Sequence, residues 1–332
     1  MARFDAKGGL RSAGNLLRRL EWTVLRPLAS RLGGDERSLL LGPGIEIDEL
    51  REYQPGDDVR QMDWNMMARL GKPYVRHSRV TRALDVWLAL DVSPSVDWGT
   101  AQMLKRERAV EFITVVGQIF LRHNHHVGAL LFADAPLAMI PPAAGQQHLL
   151  RLVDAVMNGA NRSGSGATDL RAALARLDRV LPRRSFIILV SDFLAPPGWQ
   201  SVLLRLVQRH EVVAVCLRDP RESELPNVGV IALEDPETGR QLVVDTGNAP
   251  LRERFHAAAE EQAALLRADL SVAGVDLLEL STADDLLPVL VRFLEKRRAQ
   301  AALLAREHAA NAAKVGNAVR SRAERKEAGD AL

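Results

Sequence analysis

One cysteine, Cys216, is all that this 332-residue chain contains. A single thiol excludes an internal disulfide framework and a cysteine-rich zinc site. Its setting, in the apolar run Val212-Val213-Ala214-Val215-Cys216-Leu217, marks it as a small buried hydrophobe and not as a nucleophile. Aromatic residues are scarce too, at 5%. The core of a sequence that is 47% hydrophobic must therefore be built from Leu, Val, Ile and Ala. No stretch approaches the ~18 uninterrupted apolar residues of a membrane span. Near the N-terminus Arg18, Arg19, Glu21 and Arg26 interrupt each apolar stretch, so no signal-peptide core is visible. These absences give the expectation of a soluble, cytoplasmic protein. A strong net charge is also missing: the balance is +2, which offers no global case for nucleic-acid binding, and none is expected. Nor is there a Gly-x-x-x-x-Gly-Lys-Ser/Thr loop, since Gly71-Lys72 runs into Pro73, so a nucleotide P-loop is not expected.

What charge there is sits unevenly. Residues 1–42 hold eight Lys/Arg against four Asp/Glu, and residues 292–332 hold ten against five, so basic ends flank an acidic body. The plain reading of both ends is solvated helix. Residues 10–32 form a basic amphipathic helix candidate with Leu16, Leu17, Leu20, Val24 and Leu28 at helical spacing. Such a helix more often packs on its own domain than on a lipid surface, and peripheral membrane contact through 10–32 is not expected.

The chain divides into a basic amphipathic segment (1–42), an acidic, turn-rich extension (43–82), an α/β domain (83–298) and a charged tail (299–332). Gly33-Gly34 and Gly42-Pro43-Gly44 break the chain before the extension, whose acidic cluster is Glu46, Asp48, Glu49, Glu52, Asp57, Asp58 and Asp63. Within the domain, apolar runs at 84–90, 127–132, 185–190, 211–217 and 275–280 read as buried strands, with a short strand at 137–140. They alternate with helical patterns at 103–122, 145–157, 169–180, 199–209, 250–272 and 284–298. Residues 228–245 read as a β-hairpin inserted in this alternation, with Gly239 near its turn. The expected fold is a doubly wound, mostly parallel sheet with helices on both faces.

In such sheets ligands bind beyond the carboxyl ends of the strands, where strand order reverses. Three segments deliver oxygen donors to that end. The first strand runs into Asp91-Val92-Ser93-Pro94-Ser95. The loop Ser163-Gly164-Ser165-Gly166-Ala167 delivers Thr168. The strand 186–190 ends in Ser191-Asp192. Hydroxyls with few carboxylates suit a hard divalent cation, magnesium first and manganese or calcium as alternatives. They also leave it under-neutralised, ready for a carboxylate from outside. As loop-end positions, Ser93, Thr168 and Asp192 are expected to tolerate alanine without loss of the fold.

The spacing Asp91-x-Ser93-x-Ser95, with Thr168 and Asp192 on later loops, resembles the metal-ion-dependent adhesion site of von Willebrand factor A domains. That resemblance implies direct metal contacts from Ser93, Ser95 and Thr168, with Asp91 and Asp192 acting through waters and hydrogen bonds. Glu46 to Arg60, Met62-Asp63-Trp64-Asn65, Gly71 to Arg76 and Leu233-Glu234-Asp235-Pro236-Glu237-Thr238-Gly239 resemble the signature of the domain-of-unknown-function-58 family. Members accompany a MoxR-type AAA+ ATPase, so the resemblance implies that partner, or a client protein, supplying an Asp or Glu to the metal. The function expected is a non-catalytic, metal-dependent adaptor in assembly or remodelling of clients.

Two alternatives stand beside it: a magnesium-dependent phosphohydrolase using Asp91 as nucleophile, and a scaffold with an empty site. Against the hydrolase, Ser93 stands where a haloacid-dehalogenase-like enzyme carries its second Asp. His123-Asn124-His125-His126 reads as a helix terminus, not a zinc site, and Asp169 as a helix cap.

Overall fold

A computed structural model describes residues 9–32, 49–54, 73–77, 83–159 and 167–300, with positions 62, 67, 302 and 303 besides. The glycine breaks at 33–34 and 42–44, most of the acidic cluster, the Ser163–Gly166 loop and nearly all of the tail beyond 299 lie outside the described residues.

The amphipathic pattern at the N-terminus produces α1 (Gly9–Leu20), a π-helical turn at Glu21–Leu25, and α2 (Arg26–Leu32). The wide turn precedes Pro27, which lacks an N–H and whose ring would press on the carbonyl four residues back in a regular helix. Leu17, Leu20, Val24, Leu25, Leu28 and Leu32 are all buried in the domain core. The apolar stripe of this segment is thus spent on its own domain. Trp22 remains on the outside, 65% exposed, with the Arg26 guanidinium 3.7 Å over its ring. In the extension, β1 (Glu49–Glu52) pairs antiparallel with β2 (Tyr74–His77).

The main sheet begins with β3 (Asp85–Asp91) and is followed by helix α3 (Lys105–Arg122), β4 (His126–Phe132), β5 (Pro136–Ala143) and α4 (Gln146–Gly159). Then come α5 (Leu170–Val180), β6 (Phe186–Ser191), α6 (Gln200–Val207) and β7 (Glu211–Arg218). The hairpin of β8 (Val230–Glu234) and β9 (Gln241–Asp245) leads into α7 (Ala249–Val272), β10 (Asp276–Ser281) and a last helix, α8, over 286–300. The strand order is β10-β7-β6-β3-β4-β5, parallel throughout except for β5, which runs antiparallel to β4 at one edge. This is the doubly wound α/β fold expected. The winding reverses at β3: the chain moves first to β4 and β5, then to β6, β7 and β10 on the other side.

Period-two alternation sorts β3 between two apolar layers. Val86, Leu88 and Leu90 join the layer under α1, α2, α3, α4 and α8, whereas Trp87 and Ala89 join the one under α5, α6 and α7. Every strand residue from Val86 to Asp91 is buried, which is why the sequence reads as a continuous apolar run. α3 crosses α4 closely at Gly117, where an added Cβ would lie 2.6 Å from a Leu149 methyl.

β5 is longer than the short strand read from sequence and runs through Pro141 and Pro142. An edge strand tolerates them because it needs partners on one side only. The His-rich stretch ends α3: Asn124 takes the left-handed conformation at φ 64°, His123 bonds the Ile119 carbonyl, and His125 Nδ1 accepts the Leu84 N–H.

Candidate metal centre at the carboxyl ends of the strands

Asp91 is the last residue of β3 and is 3% exposed. One of its carboxylate oxygens accepts the Ser93 N–H at 2.9 Å, and the other accepts the Ser191 hydroxyl at 2.6 Å. The first bond folds the chain back on itself, and Pro94 then opens a short 3-10 turn, Pro94–Asp97. Ser93 and Ser95 end up buried side by side, their hydroxyl oxygens 2.9 Å apart.

On the neighbouring strand, Ser191 also accepts the Phe193 N–H. Phe193 sits at φ 59°, a left-handed conformation that costs a bulky residue about 1–3 kcal/mol. Packing of its ring on Trp199, 5.7 Å between centroids, offsets that strain. Asp192 lies between these two residues with both oxygens engaged: one accepts the Leu194 N–H, the other the Lys105 ammonium at 2.8 Å. Lys105 also donates to Glu222 at 2.5 Å. The Lys105 and Asp192 side chains are each 1% exposed. Burial works against the Lys105 charge, but the carboxylates of Asp192 and Glu222 outweigh it and hold the ammonium above its ordinary pKa. Asp91 has no such counter-charge. Burial first, and the Asp192 carboxylate second, push it up to about 7.

Thr168 comes from the third loop, which is anchored beside β3 on the opposite side from β6: the Asp169 N–H donates to the Ala133 carbonyl just past β4. Asp169 caps α5 as expected, accepting the Ala172 N–H at 2.8 Å. Thr168 is 1% exposed. Its N–H and its hydroxyl each donate, at 2.9 Å, to one oxygen of the same carboxylate, that of Glu237. Glu237 belongs to the turn of the β8–β9 hairpin.

The five residues singled out from sequence therefore all lie at the carboxyl ends of three adjacent strands, β6, β3 and β4, around the reversal point. Contacts link Asp91, Ser93 and Ser95 directly, charge links Asp91 to Asp192, and Thr168 faces Glu237. Sequence reasoning missed Lys105, Glu222 and Glu237, and named Ser191 only as an oxygen donor beside Asp192. It also misjudged Asp192 as a position that alanine would replace freely, because a buried ammonium depends on it. The Asp-Pro-Glu-Thr-Gly turn was a signal for Glu237, though nothing local says where a hairpin tip lands. A second strand-end network lies beside the first. Asp219, just past β7, accepts both the N–H and the hydroxyl of Thr100, the hydroxyl of Thr282 and the N–H of Arg221.

Chemically, the donors are all oxygen. Among the described residues no group of three or more His, Cys, Asp and Glu could hold a metal. The hydroxyl pair, the Thr168 hydroxyl and two carboxylates whose oxygens are already hydrogen-bonded are donors of the kind that suits a hard cation keeping part of its water.

The family model described as "Protein of unknown function DUF58" matches residues 49–265. The chain belongs to this family. An uncharacterized protein of Mycobacterium tuberculosis is 38% identical over 284 residues, 85% of this chain and 89% of its own. An uncharacterized protein from Paracoccus denitrificans, named for its place in the moxR 3' region, is 34% identical over 85 residues, 25% of this chain and 81% of its own. Among solved structures, the SpRpn10 VWA domain is 11% identical with a TM-score of 0.36, covering 63% of this chain and 94% of that one. An aerotolerance-related membrane protein from Bacteroides fragilis is 15% identical with a TM-score of 0.42, over 64% of this chain and 100% of that one.

The cytoplasmic expectation drawn from sequence is withdrawn: the similar solved structures include one described as a membrane protein, a description of that protein and not of this chain. No helix among the described residues is long and apolar enough to cross a bilayer, and that fact alone does not assign a compartment.

Proposed function

We propose that this DUF58 chain is a cation-dependent protein-binding adaptor that works with a MoxR-type AAA+ ATPase and is not itself an enzyme. One observation carries the reading: the hydroxyls of Ser93 and Ser95 meet at the reversal point of a doubly wound sheet, with the already hydrogen-bonded carboxylates of Asp91 and Asp192 at the same strand ends. Ser93, Ser95 and Thr168 would hold a divalent cation, magnesium in the cell, and Asp91 and Asp192 would fix them in place. The cation would supply positive charge for a carboxylate of the partner or of a client. The relative named for the moxR 3' region supports the choice of ATPase. Against hydrolysis, both oxygens of Asp91 already accept hydrogen bonds, from the Ser93 N–H and the Ser191 hydroxyl, which lowers their nucleophilicity.

The test is a pull-down of the ATPase with magnesium, with chelator, and with Ser93→Ala, which removes a hydroxyl bonded to Ser95 and leaves the Ser93 N–H and Ser191 hydroxyl on Asp91. Chelator and Ser93→Ala should each weaken the complex by about tenfold or more, and chelator should add little to the variant. Equal binding in all three conditions would place the contact elsewhere. A magnesium-dependent phosphoesterase activity that disappears in Asp91→Asn would replace this reading with the hydrolase.

A further inference from the structure

The β8–β9 hairpin stands outside both apolar layers of the domain: no residue of 228–245 belongs to either. An isolated two-stranded hairpin is marginal in water. Here Val230, Leu242 and Val243 are 68%, 64% and 71% exposed, so burial does little to hold it in place. Its base is fixed by Thr246, which bridges Val228 and Gly229. Its tip is rigid in itself. Asp235 accepts the Glu237 N–H and the Thr238 hydroxyl, the Gly239 N–H returns to the Asp235 carbonyl, and Gly239 takes the φ of +69° that closes the turn. Those hydrogen bonds hold the Asp235 carboxyl below its ordinary range.

All of this order presents one side chain. From 232 to 240 every residue is exposed except Glu237, which is half-buried. Its two oxygens are the partners of the Thr168 N–H and hydroxyl, 69 residues away. A freely solvated glutamate would not give up side-chain freedom to reach a buried threonine unless the site gained something from a carboxylate there. What it meets is the one proposed cation-holding hydroxyl that no other described residue bonds.

The geometry points to Glu237 as a built-in acidic ligand of the cation site, and to the hairpin as a gate that an incoming carboxylate must displace. This rests on the cation reading above and changes its meaning. The anion position is filled from within, so the free protein is self-capped, and partner binding exchanges one carboxylate for another while releasing the hairpin with its exposed valines. The gate is set by competition and not by the strength of the site alone.

The experiment uses the full chain and manganese as the probe. Binding is measured by calorimetry and by water-proton relaxation for the wild type, Glu237→Gln, Glu237→Ala and Ser93→Ala. Amide exchange over 230–245 is followed with and without the ion. Thermal melts confirm folding, which a tip residue outside both apolar layers should not disturb. The wild type should bind manganese, and both Glu237 variants should bind it about tenfold or more weakly. Relaxivity per bound ion should rise in Glu237→Ala as water takes the vacated position. Manganese should slow exchange at the hairpin tip in the wild type only. If both Glu237 variants bind the ion like wild type, with unchanged relaxivity and a hairpin indifferent to metal, Glu237 is no ligand and the gate is refuted while the cation site stands. If the wild type takes up no manganese at millimolar concentration, the cation reading fails and the gate falls with it.

Discussion

Lys105 shows how much a single side chain can contribute to the fold. It sits in the first turn of α3, where a lysine ordinarily points to water, yet it is buried between Asp192 and Glu222. An ion pair taken out of water gains little over an apolar pair, but breaking it strands a charge. Lys105→Met should therefore cost about 3–5 kcal/mol by urea unfolding, mostly because Asp192 loses its counter-charge where water cannot reach it. Asp192→Ala should be destabilising for the mirror reason, and metal-binding assays on that variant need a folding control. Asp219 makes a pH-dependent case. Burial works to raise its pKa, and hydrogen bonds from Thr100, Thr282 and Arg221 overcome it, so the folded pKa lies below the unfolded one. Its contribution is then complete above the unfolded value of about 4 and is lost as pH falls through the folded value. Asp219→Asn should be less stable than wild type at pH 7, and the gap should close as chemical denaturation is repeated toward pH 3. A gap that widens in acid would contradict the assignment.

At the scale of elements, α1 and α2 are the pieces whose role is least evident from outside. Their basic face suggests a surface-seeking helix, while their apolar face completes the layer over α3 and α4. The ion pairs of Arg19 with Glu111 and of Glu21 with Arg122 tie them to α3. Partly exposed pairs of this kind contribute about 0–1 kcal/mol each, so the packing dominates. Leu28→Ala, at a position 1% exposed, should lose about 2–5 kcal/mol in the same unfolding assay, whereas Arg19→Ala should lose under about 1. Comparable losses for the two would mean that the segment is held by charge.

For the molecule as a whole, what could be read from the chain followed physical locality. β3 and β6 are buried on both faces, so their apolar runs are continuous, and the polar residue that ends each run has to lie at the sheet's rim. Asp91, Ser93, Ser95 and Asp192 were legible for that reason. Thr168 was legible through the glycine-rich loop before it and the helix after it. Lys105, Glu222 and Glu237 were not, because each reaches its partner over 69 to 117 residues and no periodicity encodes such an encounter. The π turn before Pro27 and the passage of β5 through two prolines escaped for a related cause: local propensity opposes both, and tertiary packing overrides it.

Those two prolines govern what else can join the sheet. β5 forms one rim, and Pro141 and Pro142 remove two amide donors from its eight residues. A foreign strand aligned there would find gaps in the ladder, so edge-to-edge polymerisation is discouraged on that side. The opposite rim, β10, is guarded by charge: Asp276 is paired with Arg297, and Glu279 with Arg218 and Arg267. With both borders of the described sheet closed in this way, lengthening of the sheet by a foreign strand is disfavoured.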